Sequence, residues 1–360
     1  MKRKMTAVLL TIAMSITMTA CSVRAEKRYK ASFLNLFDTV TEIVGFSESE
    51  VKFSEYSQII YDNLNEYNRL YDIYHNYEGL NNLKTINDNA GIKPVKVDRK
   101  IIDLLLFSKK MYELTDGNVN IALGSVLSLW HEHRIAGLEE PMSATLPEYE
   151  ELLKRAQHTD INRILIDEKA SEVFLEDPEM RLDVGAVAKG YAVEKTAHAI
   201  EKAGFVNGMI SVGGNIRTLG SKYDEKGKKT PWSVGIQNPD FNSTKKTLHV
   251  LNLSEGSLVT SGIYERYYIV DGKQYHHIID PKTLRPAEYF VFVSIVCQDS
   301  GMADALSTAV FNMPFEEGAE LIKKLDGVEA MWEFHDGTKM YSSGFKSMIK
   351  IDDKEQNLCS

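Results

Sequence analysis

The sequence lacks the features that define several protein classes. It holds three cysteines in 360 residues, Cys21, Cys297 and Cys359, too few for a disulfide-stapled scaffold. It has no basic excess: 42 Lys and Arg stand against 51 Asp and Glu, for a formal net charge of −9. No basic stripe runs through it, which argues against a nucleic-acid partner. No internal repeat and no low-complexity linker divides it. G-x-G-x-x-G, G-x-x-x-x-G-K-[ST] and H-E-x-x-H are all missing, so the Rossmann, P-loop and helical zinc-site readings fail.

What is present begins with a leader. "MKRKMTAVLLTIAMSITMTAC" opens with Lys2, Arg3 and Lys4, continues as an uncharged apolar run and ends in small residues before Cys21. The run is short for a bilayer span, which needs about 20 residues, and the pattern is that of a signal peptide over 1–20. "MTAC" resembles a bacterial lipobox, in which the cysteine becomes the lipidated first residue. Ala20 fits, and Met18 departs from the usual Leu. The expectation is a lipoprotein anchored through Cys21 on the extracytoplasmic face of a membrane. A polar tether over 21–32, one continuous unit over 33–351 and a polar tail over 352–360 follow. Losing Lys2, Arg3 and Lys4 takes the formal charge from −9 to −12. So acidic a protein needs a metal ion or helix N-termini to bind an anion.

The periodicity predicts an α+β protein. "DTVTEIVGF" (38–46) alternates as a strand. Tyr56, Ile60, Leu64, Tyr67, Tyr71 and Tyr74 recur at helical steps. Residues 74–91 are rich in Asn and Gly and read as loop. A helix follows over about 99–114, and Thr145 with Glu148 reads as a capping box for another over 146–157. "NRILID" and "SEVFLED" read as a hairpin, and 184–204 as a long helix closed by Gly204. From 208 onward strand-like runs dominate, interrupted by helices near 302–312 and 314–325. Strands in runs favour mixed or antiparallel sheets flanked by helices over a doubly wound fold.

Four stretches could carry chemistry. In "RLDVGAVAKGYAVE" (181–194), Asp183 precedes a Gly-containing turn and Lys189 sits in the first helical turns. Free N–H groups and the helix dipole favour phosphate there, though an Asp cap and an exposed Lys explain the same residues. Gly213-Gly214 in "ISVGGNIRTLG" allows a tight turn or close approach of a ligand. In "YHHIIDPKT" (275–283), His276 and His277 face opposite sides of a strand. Either is structural, or one is the general base that imidazole supplies near neutral pH. In "GMADALSTAVF" (301–311), Asp304 and Thr308 share a helix face, with Ser307 beside them. Their oxygens suit a hard cation such as Mg²⁺; helix-end complementation and back-bonded hydroxyls also fit. "WHEHR" (130–134) lacks helical metal spacing and reads as polar surface.

The order of the stretches is more specific than any one of them. "DTVTEI", "NNLKTINDNAG", "TDGNVNIALGSVLSLW", "LDVGAVAKGYAVE", "SVGGNIRTLG", "WSVGIQNP", "SGIYERYYIVDGKQYHHIIDPKT" and "ADALSTAVF" resemble, in this order, the ApbE family. The likeness covers about 33–350. It implies an ApbE-like, T-fold-related α+β unit acting as an FAD:protein FMN transferase. Such an enzyme uses Mg²⁺ to split the FAD pyrophosphate. It joins FMN through a phosphoester bond to a Thr or Ser hydroxyl of a partner flavoprotein, here an exported or membrane-bound one, and releases AMP. The resemblance implies that Asp304 and Thr308, with Ser307 adjacent and a backbone carbonyl at Ala186, hold the metal. Phe37, Tyr74, Asn118, Val119, Asn120, Asp183 and Lys189 match FAD contacts, as does Ile278 through its backbone. His277 matches the base. The chain departs from the pattern at Phe37-Asp38 (Met-Gly in many members), Asn120 (Asp), Ile263 (Asp) and Leu284 (Gly). None of these touches the metal set.

These roles make physical sense. A pyrophosphate in an acidic protein needs a cation, and a hydroxyl nucleophile needs a proton acceptor. The nucleophile itself stays open: water in place of the partner hydroxyl would make the same site an FAD pyrophosphatase. A non-enzymatic FAD-binding lipoprotein is a third reading, against which intact Asp304, Thr308 and His277 argue.

Overall fold

The structure, a computed structural model, describes residues 26–350. The leader, Cys21 and the tail with Cys359 lie outside the described residues. Among those described, no helix is long and apolar enough to cross a membrane.

An eight-stranded sheet forms the spine. Its order is β1 (Lys27–Leu36), β2 (Thr39–Ser47), Gly208–Val212, Asn215–Leu219, Gly256–Gly262, Phe292–Cys297, Glu329–Glu333 and Lys339–Tyr341. Every neighbouring pair is antiparallel. The strand Phe292–Cys297 is buried at all six positions, because both faces of the sheet are covered. Val293, Ile295 and Cys297 pack toward helices, while Phe292 and Val296 join the opposite core. There the hairpin Trp232–Gln237/Thr247–Leu253 lays Trp232, Val234, Leu251 and Leu253 against Val44, Phe46 and Phe345. Each such side chain contributes about 1.5–3 kcal/mol by burial.

The α-helices among the described residues are α1 (Glu50–Leu70), α2 (Leu83–Asp88), α3 (Arg99–Leu114), α4 (Gly124–Glu139), α5 (Tyr149–Ala156), α6 (Ala188–Lys202), α7 (Ser300–Phe311), α8 (Phe315–Lys323) and the single turn α9 (Phe345–Met348). Ser49 caps α1 by accepting from the Lys52 N–H at 3.2 Å. The helix buries Phe53, Ile60, Leu64, Tyr67 and Leu70, close to the expected face. It ends at Leu70, however, so Tyr74 lies beyond it in a loop. α7 is sandwiched between the sheet and α6. That is why Ala303, Ala305, Leu306, Ala309, Val310 and Phe311, which do not form a single stripe, are all fully buried.

Several expectations are corrected. Residues 27–32 are not tether but the first part of β1, paired from Lys27↔Ser47. Tyr29, Ala31 and Phe33 pack inward while Arg28, Lys30 and Ser32 face solvent, a period-two pattern masked by polar composition. The 74–91 loop contains α2, where Asn82 and Thr85 form a reciprocal capping box. Thr145 and Glu148 form none: α5 starts at Tyr149 without a side-chain cap, and the Thr145 hydroxyl meets His133 Nδ1 at 3.1 Å. The helix expected from 184 begins at Ala188, leaving 185–187 as turn. "WHEHR" is not simply polar surface. Trp130 is buried within α4, and its Nε1 donates to the Leu284 carbonyl at 2.9 Å.

Phe37 and Asp38, both at φ 53°, form the turn joining β1 to β2, as a type I′ hairpin requires. Leu284 sits at φ 59°. Asp38 and Leu284 are positions where the resemblance has glycine, and a side chain in this region costs about 1–2 kcal/mol. Asp38 is exposed, whereas Leu284 is buried among the core residues around Trp130. Asp38→Gly is expected to leave stability unchanged or raise it by up to about 1 kcal/mol, strain relief offsetting glycine's chain entropy. Leu284→Gly is expected to lower it by about 1–2 kcal/mol, because lost burial outweighs the relief. Urea unfolding measures both.

Candidate active site

A cleft of about 670 Å³ opens between the β1–β2 turn, the 72–77 loop, one face of α4, the turn before α6, residues 276–279 and one stripe of α7. Every expected site residue among the described ones lines it except Ser307.

The crossing of α6 and α7 builds its floor. The Gly190 N–H donates to Asp304 Oδ2 at 2.7 Å. Gly190 is the third residue of α6, so its N–H has no acceptor within the helix; Ala186, in the turn before α6, lines the cleft. Position 190 must be glycine: a Cβ there would overlap the Ser300 carbonyl and Asp304 Cβ. One turn on, the buried Glu194 accepts from the Ser300 N–H at 2.7 Å and from Arg217 Nε at 3.0 Å. It thereby ties α6, the sheet and the start of α7 together. Asp299 caps α7 through the Met302 N–H at 2.8 Å.

Burial pushes the Asp304 carboxyl above the usual carboxylate range, and Lys189 and the Gly190 N–H pull it back only in part. A buried carboxylate so placed favours a cation. Thr308 stands one turn away on the same stripe, half-buried. With the Ala186 carbonyl these make a set of hard oxygen donors. Among the described residues no group of three His, Cys, Asp or Glu forms a metal cluster. One carboxylate plus neutral oxygens, leaving room for water and phosphate, fits Mg²⁺ better than zinc. Ser307 is not part of this set. Its hydroxyl bonds the Asp304 carbonyl at 2.9 Å and Ser261 Oγ at 2.8 Å, locking α7 to the sheet.

His277 and His276 divide as their opposite facing predicts. The His277 N–H donates to the Arg266 carbonyl at 3.0 Å, and its Nδ1 lies 3.2 Å from the same oxygen. A carbonyl only accepts, so Nδ1 carries the proton and Nε2 keeps its lone pair. The ring surface reaches the cleft, but the protein around it and the Arg266 charge push its pKa down to about 3. It is neutral at physiological pH. His276 is structural, with Nε2 donating to the Ala287 carbonyl at 2.8 Å and Nδ1 accepting from the Ile278 N–H at 3.2 Å.

The other walls are more varied. Asp72 accepts from the Tyr74 and His75 N–H groups and from the Tyr77 hydroxyl, at 2.7, 3.0 and 2.8 Å. This turn sets the Tyr74 ring on His131, 5.0 Å between centroids at 28°. The Phe37 N–H is fixed by Asn68 Oδ1 at 2.8 Å. Val119 donates its N–H to Thr115 Oγ1 at 3.2 Å. Asn118 Oδ1 is buried without a partner and offers an acceptor. Asn120 is already engaged, bonding the Thr159 carbonyl and the Ala122 N–H, both at 2.9 Å. Asp183 accepts from the Gly185 N–H at 2.8 Å, and burial raises its carboxyl pKa. The Ile278 backbone is largely committed. Its N–H goes to His276 and its carbonyl accepts from the Ala287 N–H at 3.1 Å, so of its backbone only the carbonyl's second lone pair is left for a ligand.

Sequence reading missed His131, Arg134, Arg266 and Asn312, which also line the cleft. Asn312 lies four residues past Thr308 and keeps a buried, unpartnered Oδ1. Extending the i, i+4 stripe beyond Asp304 and Thr308 would have found it. The i, i+3, i+4 spacing of Leu127, Trp130, His131 and Arg134 would have found the face of α4.

Fold and cleft together define a class: an α+β protein whose cleft joins hard-oxygen donors, a neutral imidazole and several cationic side chains, the equipment for a phosphate-bearing ligand. The chain belongs to the ApbE family, whose model matches residues 37–332. An FAD:protein FMN transferase of Treponema pallidum (strain Nichols) is 35% identical over 286 residues, covering 75% of each chain. One from Klebsiella pneumoniae (strain 342) is 30% identical over 252 residues, 69% of this chain and 73% of its own. The crystal structure of the ApbE protein from Thermotoga maritima superposes with a TM-score of 0.77 at 28% identity, covering 90% of this chain and 100% of that one. The flavin transferase ApbE from Vibrio cholerae, at 24% identity and a TM-score of 0.74, shares the fold over 90% of this chain and 99% of its own.

Gly190→Ala is expected to force α6 and α7 apart and cost about 1–3 kcal/mol. Gly185→Ala, whose Cβ would meet only Asp183 Oδ1 at 3.1 Å, should cost less than about 1 kcal/mol. Thermal unfolding of the two variants checks the contrast.

Proposed function

We propose that this protein transfers FMN from FAD to a Thr or Ser hydroxyl of a partner flavoprotein and releases AMP. The carrying observation is that Asp304, Thr308, Ala186 and His277 line one cleft, with the His277 Nδ1 proton directed to the Arg266 carbonyl. The names of the relatives support the substrate and the reaction. Bound at the oxygen donors, Mg²⁺ would neutralise the pyrophosphate and favour attack at phosphorus.

His277 Nε2 accepts the proton of the acceptor hydroxyl as its oxygen attacks the flavin-side phosphorus. A phosphoester bond forms there, the bond from that phosphorus to the bridging oxygen breaks, and AMP leaves with the electron pair. The imidazolium that results keeps its Nδ1 bond to the Arg266 carbonyl. Lys189 supplies further positive charge beside Asp304. The leader and Cys21 support action from a lipid anchor on the extracytoplasmic face, on an exported or membrane-bound acceptor.

The test is incubation with FAD, Mg²⁺ and a candidate acceptor, read by mass spectrometry. Covalent FMN on the acceptor is expected; FMN and AMP without modification would instead identify a pyrophosphatase. EDTA should abolish turnover, and Asp304→Ala should lower it by about 100-fold or more. His277→Ala should bind FAD normally but transfer about 10²–10⁴-fold more slowly; an unchanged rate removes it as the base. With its pKa at about 3, His277 should contribute no acid limb to kcat/KM between roughly pH 5 and 8.

A further inference from the structure

The transfer chemistry gives no role to "VGGN" (212–215), whose glycines suit a tight turn or a close approach. Gly213 and Gly214 lie at φ 54° and 81° and join two strands whose pairing closes at Val212↔Asn215. This two-residue turn places Asn215 at the start of the strand Asn215–Leu219, which packs against both α6 and α7. Asn215 is 1% exposed and lies behind the cleft rather than in its wall.

The amide of Asn215 points one way. The Ser300 hydroxyl donates to its Oδ1 at 2.6 Å, which turns the oxygen toward the start of α7. The other end, Nδ2, faces the Asp304 carboxylate, short of a full hydrogen bond. A Cβ on Gly190 would sit 2.4 Å from Asp304 Cβ and 3.0 Å from Asn215 Nδ2, so all three residues meet at the helix crossing. The reversed amide would set a carbonyl oxygen against a carboxylate, and both only accept. A buried amide N–H normally has a partner, and the carboxylate is the acceptor within its reach. Asp304 is thus approached by two neutral donors: the Gly190 N–H, which holds Oδ2 at 2.7 Å, and the Asn215 amide from the sheet. Neutral donors orient a carboxylate without cancelling its charge, whereas at Glu194 the charge is met by Arg217.

We propose that Asn215, held by Ser300, is a positioning residue for Asp304: its amide fixes the carboxylate orientation that presents oxygen to a divalent cation. The inference rests on Asp304 being a cation ligand, and the experiment tests that premise separately.

Mn²⁺, in place of Mg²⁺, is titrated into wild type, Asp304→Ala, Asn215→Leu, Ser300→Ala and the Asn215→Leu/Ser300→Ala double variant, with and without FAD. Free Mn²⁺ is read by electron paramagnetic resonance. Asn215→Leu keeps the volume and removes the amide, and should weaken Mn²⁺ binding about 10- to 100-fold. Ser300→Ala keeps the N–H bond to Glu194 and only frees the amide to turn. It should weaken binding about 3- to 10-fold, and add less than about twofold on the Asn215→Leu background. In turnover, half-saturating Mg²⁺ should rise by matching factors while kcat at saturating Mg²⁺ stays within about threefold. A merely structural role would lower the melting temperature and leave Mn²⁺ affinity within about twofold of wild type; that result overturns the proposal. Fully multiplicative effects of the two substitutions also overturn it, since the side chains would then act separately. If Asn215→Leu does not fold, Ser300→Ala decides by the same affinity criterion. Wild-type affinity in Asp304→Ala would remove Asp304 as the ligand, and the proposal with it, whatever the Asn215 variants do.

Discussion

The architecture turns on the contact between Gly190 and Asp304. Two helices cross at a point where one has no side chain, and a backbone N–H of the first meets a carboxylate of the second at 2.7 Å. That single bond shapes two features. It holds a buried carboxylate at the cleft floor, and it sets the separation of the helices. Glu194 repeats the arrangement one turn further on, where its charge is matched by Arg217 and by the first amide of α7. Asp304 has only part of that compensation, and the difference marks it as the carboxylate with work left to do.

The cleft mixes both signs of charge. In a chain of net charge −9, Lys189, Arg134 and Arg266 line it together with Asp38, Asp72, Asp183, Glu265 and Asp304. Some surface charges are matched by neighbours, such as Lys30 with Glu42 or Arg99 with Asp103, and others are not. The neutral state of His277 follows first from the protein packed around it, which disfavours a charged ring, and then from the Arg266 charge.

How much of this was legible in the sequence depended on the kind of signal. The Asp304–Thr308 spacing is a local periodicity, and it survived into the structure unchanged. So did the hairpin Ile164–Asp167/Glu172–Leu175 and the helix Arg99–Leu114. Ser307 was legible as a neighbour but not as a competitor: only the sheet, through Ser261, shows that its hydroxyl is already bonded. The commitment of the Ile278 backbone was hidden for the same reason, because its partners include Ala287, brought back by a turn. β1 escaped notice because an edge strand needs an inward face on only one side, and its outward residues are as polar as a linker. Arg134 and Arg266 are far apart in sequence, and nothing local announces that they share a concavity.

The burial of α7 has a consequence for how such a protein can diverge. Its cleft-facing residues, Asp304 and Thr308, sit on a helix whose other sides form the core, so foldability and site are inherited as one unit. The opposite wall includes the β1–β2 turn and the 72–77 loop, where Asp38, Tyr74 and His75 are exposed. Substitutions there can retune what is grasped without endangering the chain that grasps it. A lineage built on this plan can change its clientele while its reagents stay the same.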